Sequence, residues 1–140
     1  MANMILNGDF SKQGLDWTIA HEDRVNFKDG YCVIGRIGSV SQVISAQGAG
    51  GKEFMLSARI KTIPDCVARV ELSFRPQGPQ IWLDAGLGQD WTVYSNKFIA
   101  PEGTEQFIVK LFNPDAYDHM GSFYGDVTLV ELPPIGEIQP

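Results

Sequence analysis

Cysteine and histidine are scarce: Cys32 and Cys66, His21 and His119 are the whole supply in 140 residues. So small a set excludes a disulfide-dense scaffold and a Cys/His zinc module. Long apolar runs are missing too, and no window reaches the length of a membrane span. Eleven basic residues stand against seventeen acidic ones, a formal charge of -6 with no Lys/Arg cluster. That balance argues against nucleic-acid binding through phosphate neutralisation and against an anionic membrane surface. Metalloprotease, nucleophile-elbow, P-loop and dinucleotide motifs are all absent. There is no amphipathic pattern long enough for a helix of three turns. Met1 to Phe10 has neither a basic start nor an apolar run, so no signal peptide is read there. The expected location is therefore cytoplasmic; export without a cleaved signal, or membership of a larger protein, is the alternative.

What the chain does have is period-two alternation broken by turn residues, with 15 Gly and 8 Pro spread along it. Phe54, Leu56, Ala58 and Ile60 form one face of a strand, and Val70, Leu72 and Phe74 continue that apolar set on the next. Asp29-Gly30, between Val25-Asn26-Phe27 and Tyr31 to Ile34, predicts a two-residue hairpin. Nine or ten such strands at regular spacing predict an all-β sandwich or jelly roll of antiparallel strands. Residues 1–133 are expected to form one domain and 134–140 a disordered tail. Each cysteine lies in an apolar strand-like setting and reads as a buried reduced thiol; one disulfide clamping neighbouring strands is the alternative.

The order of motifs resembles the jelly-roll carbohydrate-binding modules of the xylan- and cellulose-binding type, within the galactose-binding-like β-sandwiches. Asn3-Met4-Ile5-Leu6-Asn7-Gly8-Asp9-Phe10 and Gly14-Leu15-Asp16-Trp17 match the opening of that pattern. Ser39-Val40-Ser41-Gln42-Val43-Ile44, Phe54 to Lys61, Trp91-Thr92-Val93-Tyr94-Ser95 and Gly125-Asp126-Val127-Thr128-Leu129-Val130-Glu131 follow in order. The resemblance implies a structural calcium held by Asp9 and Asp126, with carbonyls from residues 35–38. Ser11 and Gly125 depart from the pattern, each removing a carboxylate from that site. Without an ion, Asn7 and Asp9 cap a turn through their side chains.

Sugar rings present apolar C–H faces and hydroxyl edges, so a site wants aromatic plates beside planar polar groups. Alternation places Arg59, Arg69, Glu71, Arg75, Trp82, Lys110 and Phe112 outward, forming one polar face provided their strands share a sheet. Trp82 is the candidate platform, and Tyr117 adds a loop contact. Trp17 and Trp91 sit where the family carries structural tryptophans and read as core. Carboxylates are plentiful, and a pair such as Glu71 with Asp84 is of the kind glycosidases use, but small sandwiches rarely bury a general acid. The expectation is non-catalytic glycan binding on the concave face of the sandwich. The alternative is an interaction or assembly module on the same scaffold, as in a phage-tail-like particle, a toxin complex or an oligomer with protein partners.

Overall fold

The computed structural model describes residues 2–115 and 119–134. Ten strands run in chain order: β1 Thr18–Ala20, β2 Val25–Lys28, β3 Tyr31–Gly35, β4 Ser39–Ser45, β5 Glu53–Thr62, β6 Ala68–Arg75, β7 Ile81–Ala85, β8 Thr92–Ile99, β9 Gln106–Phe112 and β10 Met120–Glu131. They form two five-stranded antiparallel sheets. The first has the order β1-β4-β9-β6-β7 and the second β2-β3-β10-β5-β8. The sole helical element described is one 3-10 turn at Glu22–Arg24, and no helix is long and apolar enough to cross a membrane. The tail beyond residue 134 lies outside the described residues.

Alternation sets the layers. Along β5 and β6 every second residue is buried, so Phe54, Leu56, Ala58 and Ile60 face Val70, Leu72 and Phe74 across the interior. Four phenylalanines meet there: Phe107 lies 5.0 Å from Phe54, 5.7 Å from Phe74 and 5.9 Å from Phe98, in edge-to-face contacts. The Asp29-Gly30 turn joins β2 to β3 as the sequence predicts. Lys28 pairs with Tyr31, and Gly30 takes a φ of 89° that a side chain would resist.

The two chain ends meet. Met4 N–H donates to the Leu129 carbonyl and Val127 N–H to that of Gly8. A Cβ on Gly8 would stand 2.1 Å from the Val127 carbonyl oxygen, so only glycine allows this approach. Gln42, buried on β4, accepts from Leu6 N–H at 2.8 Å and donates to the Leu6 carbonyl at 3.0 Å. One polar side chain thereby satisfies itself and holds the N-terminal segment against the first sheet.

Tyr124 links the layers. It sits on β10 in the second sheet, fully buried, and its hydroxyl crosses to the first. There it accepts from Arg69 N–H at 3.0 Å and donates to the Phe112 carbonyl at 2.6 Å. Tyr124→Phe would leave two backbone groups unpaired beneath the outer side chains of Arg69 and Phe112. We expect a loss of about 1–3 kcal/mol, read as a lower urea midpoint with an unchanged slope; an unchanged midpoint would contradict the linking role.

Both cysteines are buried free thiols, so the disulfide alternative is not what this structure contains. Burial pushes both thiols up from about 9.0, Cys66 to about 11 with Asp115 adding to the rise. Burial also raises the Tyr124 hydroxyl. Acids whose pKa rises on folding contribute stability that is full below the unfolded value and is lost as pH climbs towards the folded one. The folding constant should hold to about pH 9 and then fall about tenfold per pH unit for each thiol, with Tyr124 adding its share above about pH 10. Urea titrations at pH 8 and pH 10.5 test this, and equal midpoints would refute it.

Candidate functional site

The register of the first sheet builds the outer face. One row across it runs Thr18, Ser41, Lys110, Glu71, Trp82, each paired with the next on the neighbouring strand. The adjacent row runs Ala20, Ser39, Phe112, Arg69, Asp84. Four of the residues singled out from sequence, Arg69, Glu71, Trp82 and Phe112, thus stand in two neighbouring rows. Arg75 is on the same face, further along β6, where it pairs with Gln106.

Trp82 is neither walled in nor fully exposed: it is half-buried on edge strand β7, with the Arg69 guanidinium 4.4 Å from its ring centre. Arg69 is itself held by Asp84, paired opposite it, through Nε on a carboxylate oxygen. Cation, ring and carboxylate therefore lock one another in place. Glu71 accepts from Gln80 Nε2 at 2.8 Å and Ser73 Oγ at 3.2 Å, both on one carboxylate oxygen. Lys110 lies with its ammonium 4.9 Å from the Phe112 ring centre. A hollow lined by Val67, Arg69, Asp84 and Pro114 opens at the end of the second row.

Arg59 belongs elsewhere. It is on β5, in the second sheet, and its guanidinium sits 4.0 Å from the Trp91 ring centre. Grouping it with Arg69 and Arg75 fails because alternation tells inside from outside, not which layer a strand joins. Trp91 likewise leaves the core expected for it and lies half-exposed with Tyr31 and Phe123, 5.7 and 6.3 Å away. Lys61 covers Phe123 at 5.3 Å. Each of these three rings packs on the other two, and Trp91 and Phe123 also lie near a cation, whereas among the described residues Trp82 has a guanidinium over it and no ring partner. Trp17 is core as expected, stacked 5.3 Å from Phe10. Tyr117 lies outside the described residues.

The carboxylates implied for calcium are committed to N–H donors. Asp9 Oδ1 accepts from Ser11 N–H, a bond that holds its carboxyl below the usual range. Asp126 Oδ2 accepts from Arg59 Nε at 3.1 Å. Asp126 sits at a register shift in β10 with a φ of 46°, and a Cβ on Gly125 would meet the Arg59 guanidinium at 2.7 Å. Among the described residues no three of His, Cys, Asp and Glu converge on one point. Calcium wants six to eight oxygens, and each of the two carboxylates implied for it has one oxygen engaged by an N–H donor. Asn7 instead organises the turn, donating to the Gln13 and Leu15 carbonyls at 2.8 Å and accepting from Lys12 N–H. We expect excess chelator to move the unfolding temperature by less than about 1 °C; a fall of several degrees, reversed by calcium, would overturn this.

Sequence reasoning passed over Gln80, Ser39 and Ser41. Gln80 hides in the Pro-Gln-Gly-Pro-Gln break, where nothing marks it as a partner for Glu71. The serines did carry a signal: small polar residues facing outward on a strand inside a sheet make room above it. A further recess, lined by Gly51, Ile99, Leu132 and Pro134, lies at the end of the second sheet and has no aromatic ring.

No family model matches the sequence, and no curated protein does. Solved structures do. The enzymatically active domain of tailspike protein 4 from bacteriophage CBA120 superposes with a TM-score of 0.70 at 14% identity, over 93% of this chain. This chain spans about a fifth of that one, 21%. A CBM4 module superposes with a TM-score of 0.66 at 18% identity, covering 91% of this chain and 99% of the module. TmCBM61, solved with β-1,4-galactotriose, gives 0.65 at 13% identity over 94% of this chain and 100% of its own. The chain has the jelly-roll β-sandwich fold of the carbohydrate-binding modules.

Proposed function

We propose that this protein binds a glycan without catalysis, on the outer face of the first sheet. The observation that carries the reading is the juxtaposition in two adjacent rows of Trp82 and Phe112 with Arg69, Glu71 and Asp84. An aromatic plate takes the apolar face of a sugar ring, and guanidinium and carboxylate groups take its hydroxyls. Because Arg69 is held by Asp84 and by the ring, the site meets its ligand with little ordering left to do. That modules of the same fold bind sugars, one of them solved with a galactotriose, supports the reading. A binding role also fits the carboxylates: Asp84 is exposed and tied to Arg69, and Glu71 is tied to Ser73 and Gln80. Neither is set up as a buried proton donor. Affinity electrophoresis against plant, microbial and host polysaccharides tests the proposal: at least one should retard the protein, and retardation by none would refute it.

A phage tailspike protein contains a domain of this fold, superposing over 93% of this chain, which keeps an assembly module beside glycan binding as the second reading. Light scattering separates the two. Assembly predicts a defined oligomer or a stable complex, and a monomer with no partner in a pull-down counts against it.

A further inference from the structure

We propose that the glycan bound on this face is anionic and that Lys110 reads its negative group; the inference rests on the glycan-binding reading above. On this face one expected ion pair does not form. Lys110 and Glu71 stand directly opposite each other on β9 and β6, a position where opposite charges ordinarily attract. Glu71 is turned aside instead, one of its carboxylate oxygens accepting from both Ser73 and Gln80. Asp84, the other acid of these rows, is taken by Arg69. Among the described residues Lys110 has no carboxylate within ion-pair reach, and its ammonium rests over the Phe112 ring.

The surroundings keep that charge accessible. β9 lies inside the sheet, between β4 and β6, so Lys110 rises from the middle of the face. On the β4 side its row neighbour is Ser41, and that of Phe112 is Ser39. Two small side chains thus leave open the ground beside the ammonium and the ring. Arg75, exposed on the same face, is a second cation without an ion pair among the described residues. Arg69, Arg75 and Lys110 outnumber Glu71 and Asp84 here, against the acidic balance of the whole chain. The hydroxyls of a neutral sugar accept from such an ammonium, but only an anionic group also pairs with its charge. A carboxylate or sulfate on a pyranose stacked against Phe112 or Trp82 would pair with it at low desolvation cost.

The test uses the full chain and three probes in affinity electrophoresis and calorimetry: polygalacturonate for carboxylate, dextran sulfate for sulfate, and neutral β-1,4-galactan. The proposal expects one anionic probe to bind at least about tenfold more tightly than galactan, the preferred probe identifying the anion. Lys110→Met, which keeps the aliphatic stem over Phe112, should abolish that preference at an unchanged unfolding temperature, and Lys110→Arg should retain it. Equal affinity for charged and neutral probes, or a preference that survives Lys110→Met, overturns the inference while leaving neutral glycan binding standing. Failure to bind these probes and the wider polysaccharide panel overturns both.

Discussion

Phe107→Ala should lower the unfolding temperature by roughly 10–15 °C. Phe107 is fully buried on β9 and its ring meets Phe54, Phe74 and Phe98. Those three come from β5, β6 and β8, so the cluster ties strands of both sheets into one interior. Removing the ring loses its transfer free energy and leaves a cavity that stiff aromatic neighbours cannot close, a cost of about 3–5 kcal/mol. For a domain of this size each kcal/mol moves the midpoint by about 3 °C. Phe107→Leu keeps most of the volume and should cost less than half as much. Scanning calorimetry on both variants decides the matter: a fall under about 3 °C for the alanine variant would mean that the cluster does not hold the layers together.

Trp82→Ala should weaken binding to whichever polysaccharide retards the wild-type protein by about 30-fold or more, the usual scale for a tryptophan anchor. Trp82 lies on an edge strand with its ring on the outer face, so its loss should leave the fold intact, with a midpoint change below about 3 °C. Arg69 would stay in place on Asp84, and the deficit would report the missing plate rather than a collapsed site. Trp91→Ala is the matched control, a tryptophan of similar exposure under a guanidinium on the opposite sheet. It should bind normally. Equal losses in the two variants would point to a general effect on the fold and against a site at Trp82.

The layers were legible in the sequence because alternation is a local property. Phe54, Leu56, Ala58 and Ile60 announce the inner face of β5 whatever β5 pairs with, and the same holds for β6 and β9. Pairing is not local. Arg59 and Arg69 look alike in sequence, each the outward member of an alternating run, yet β5 joins β8 and β10 while β6 joins β7 and β9. Nothing within either strand states that difference. Trp91 failed for a related reason, since it lies just before β8 and turns outward under Arg59. The partnerships of Glu71 were equally hidden: Gln80 reaches it across the turn between β6 and β7, and Ser73 along its own strand. Short motifs did carry the turn at Asn7 and Asp9, where the side-chain hydrogen bonds span a few residues.

The three tryptophans, at 17, 82 and 91, occupy the core, the outer face of the first sheet and that of the second. Fluorine NMR of 5-fluorotryptophan-labelled protein, titrated with a polysaccharide that retards it, therefore reports directly on where the ligand sits. The Trp82 resonance should shift with ligand concentration while those of Trp17 and Trp91 stay still. Movement of Trp91 with Trp82 unchanged would put the ligand on the wrong wall of the sandwich and contradict the account.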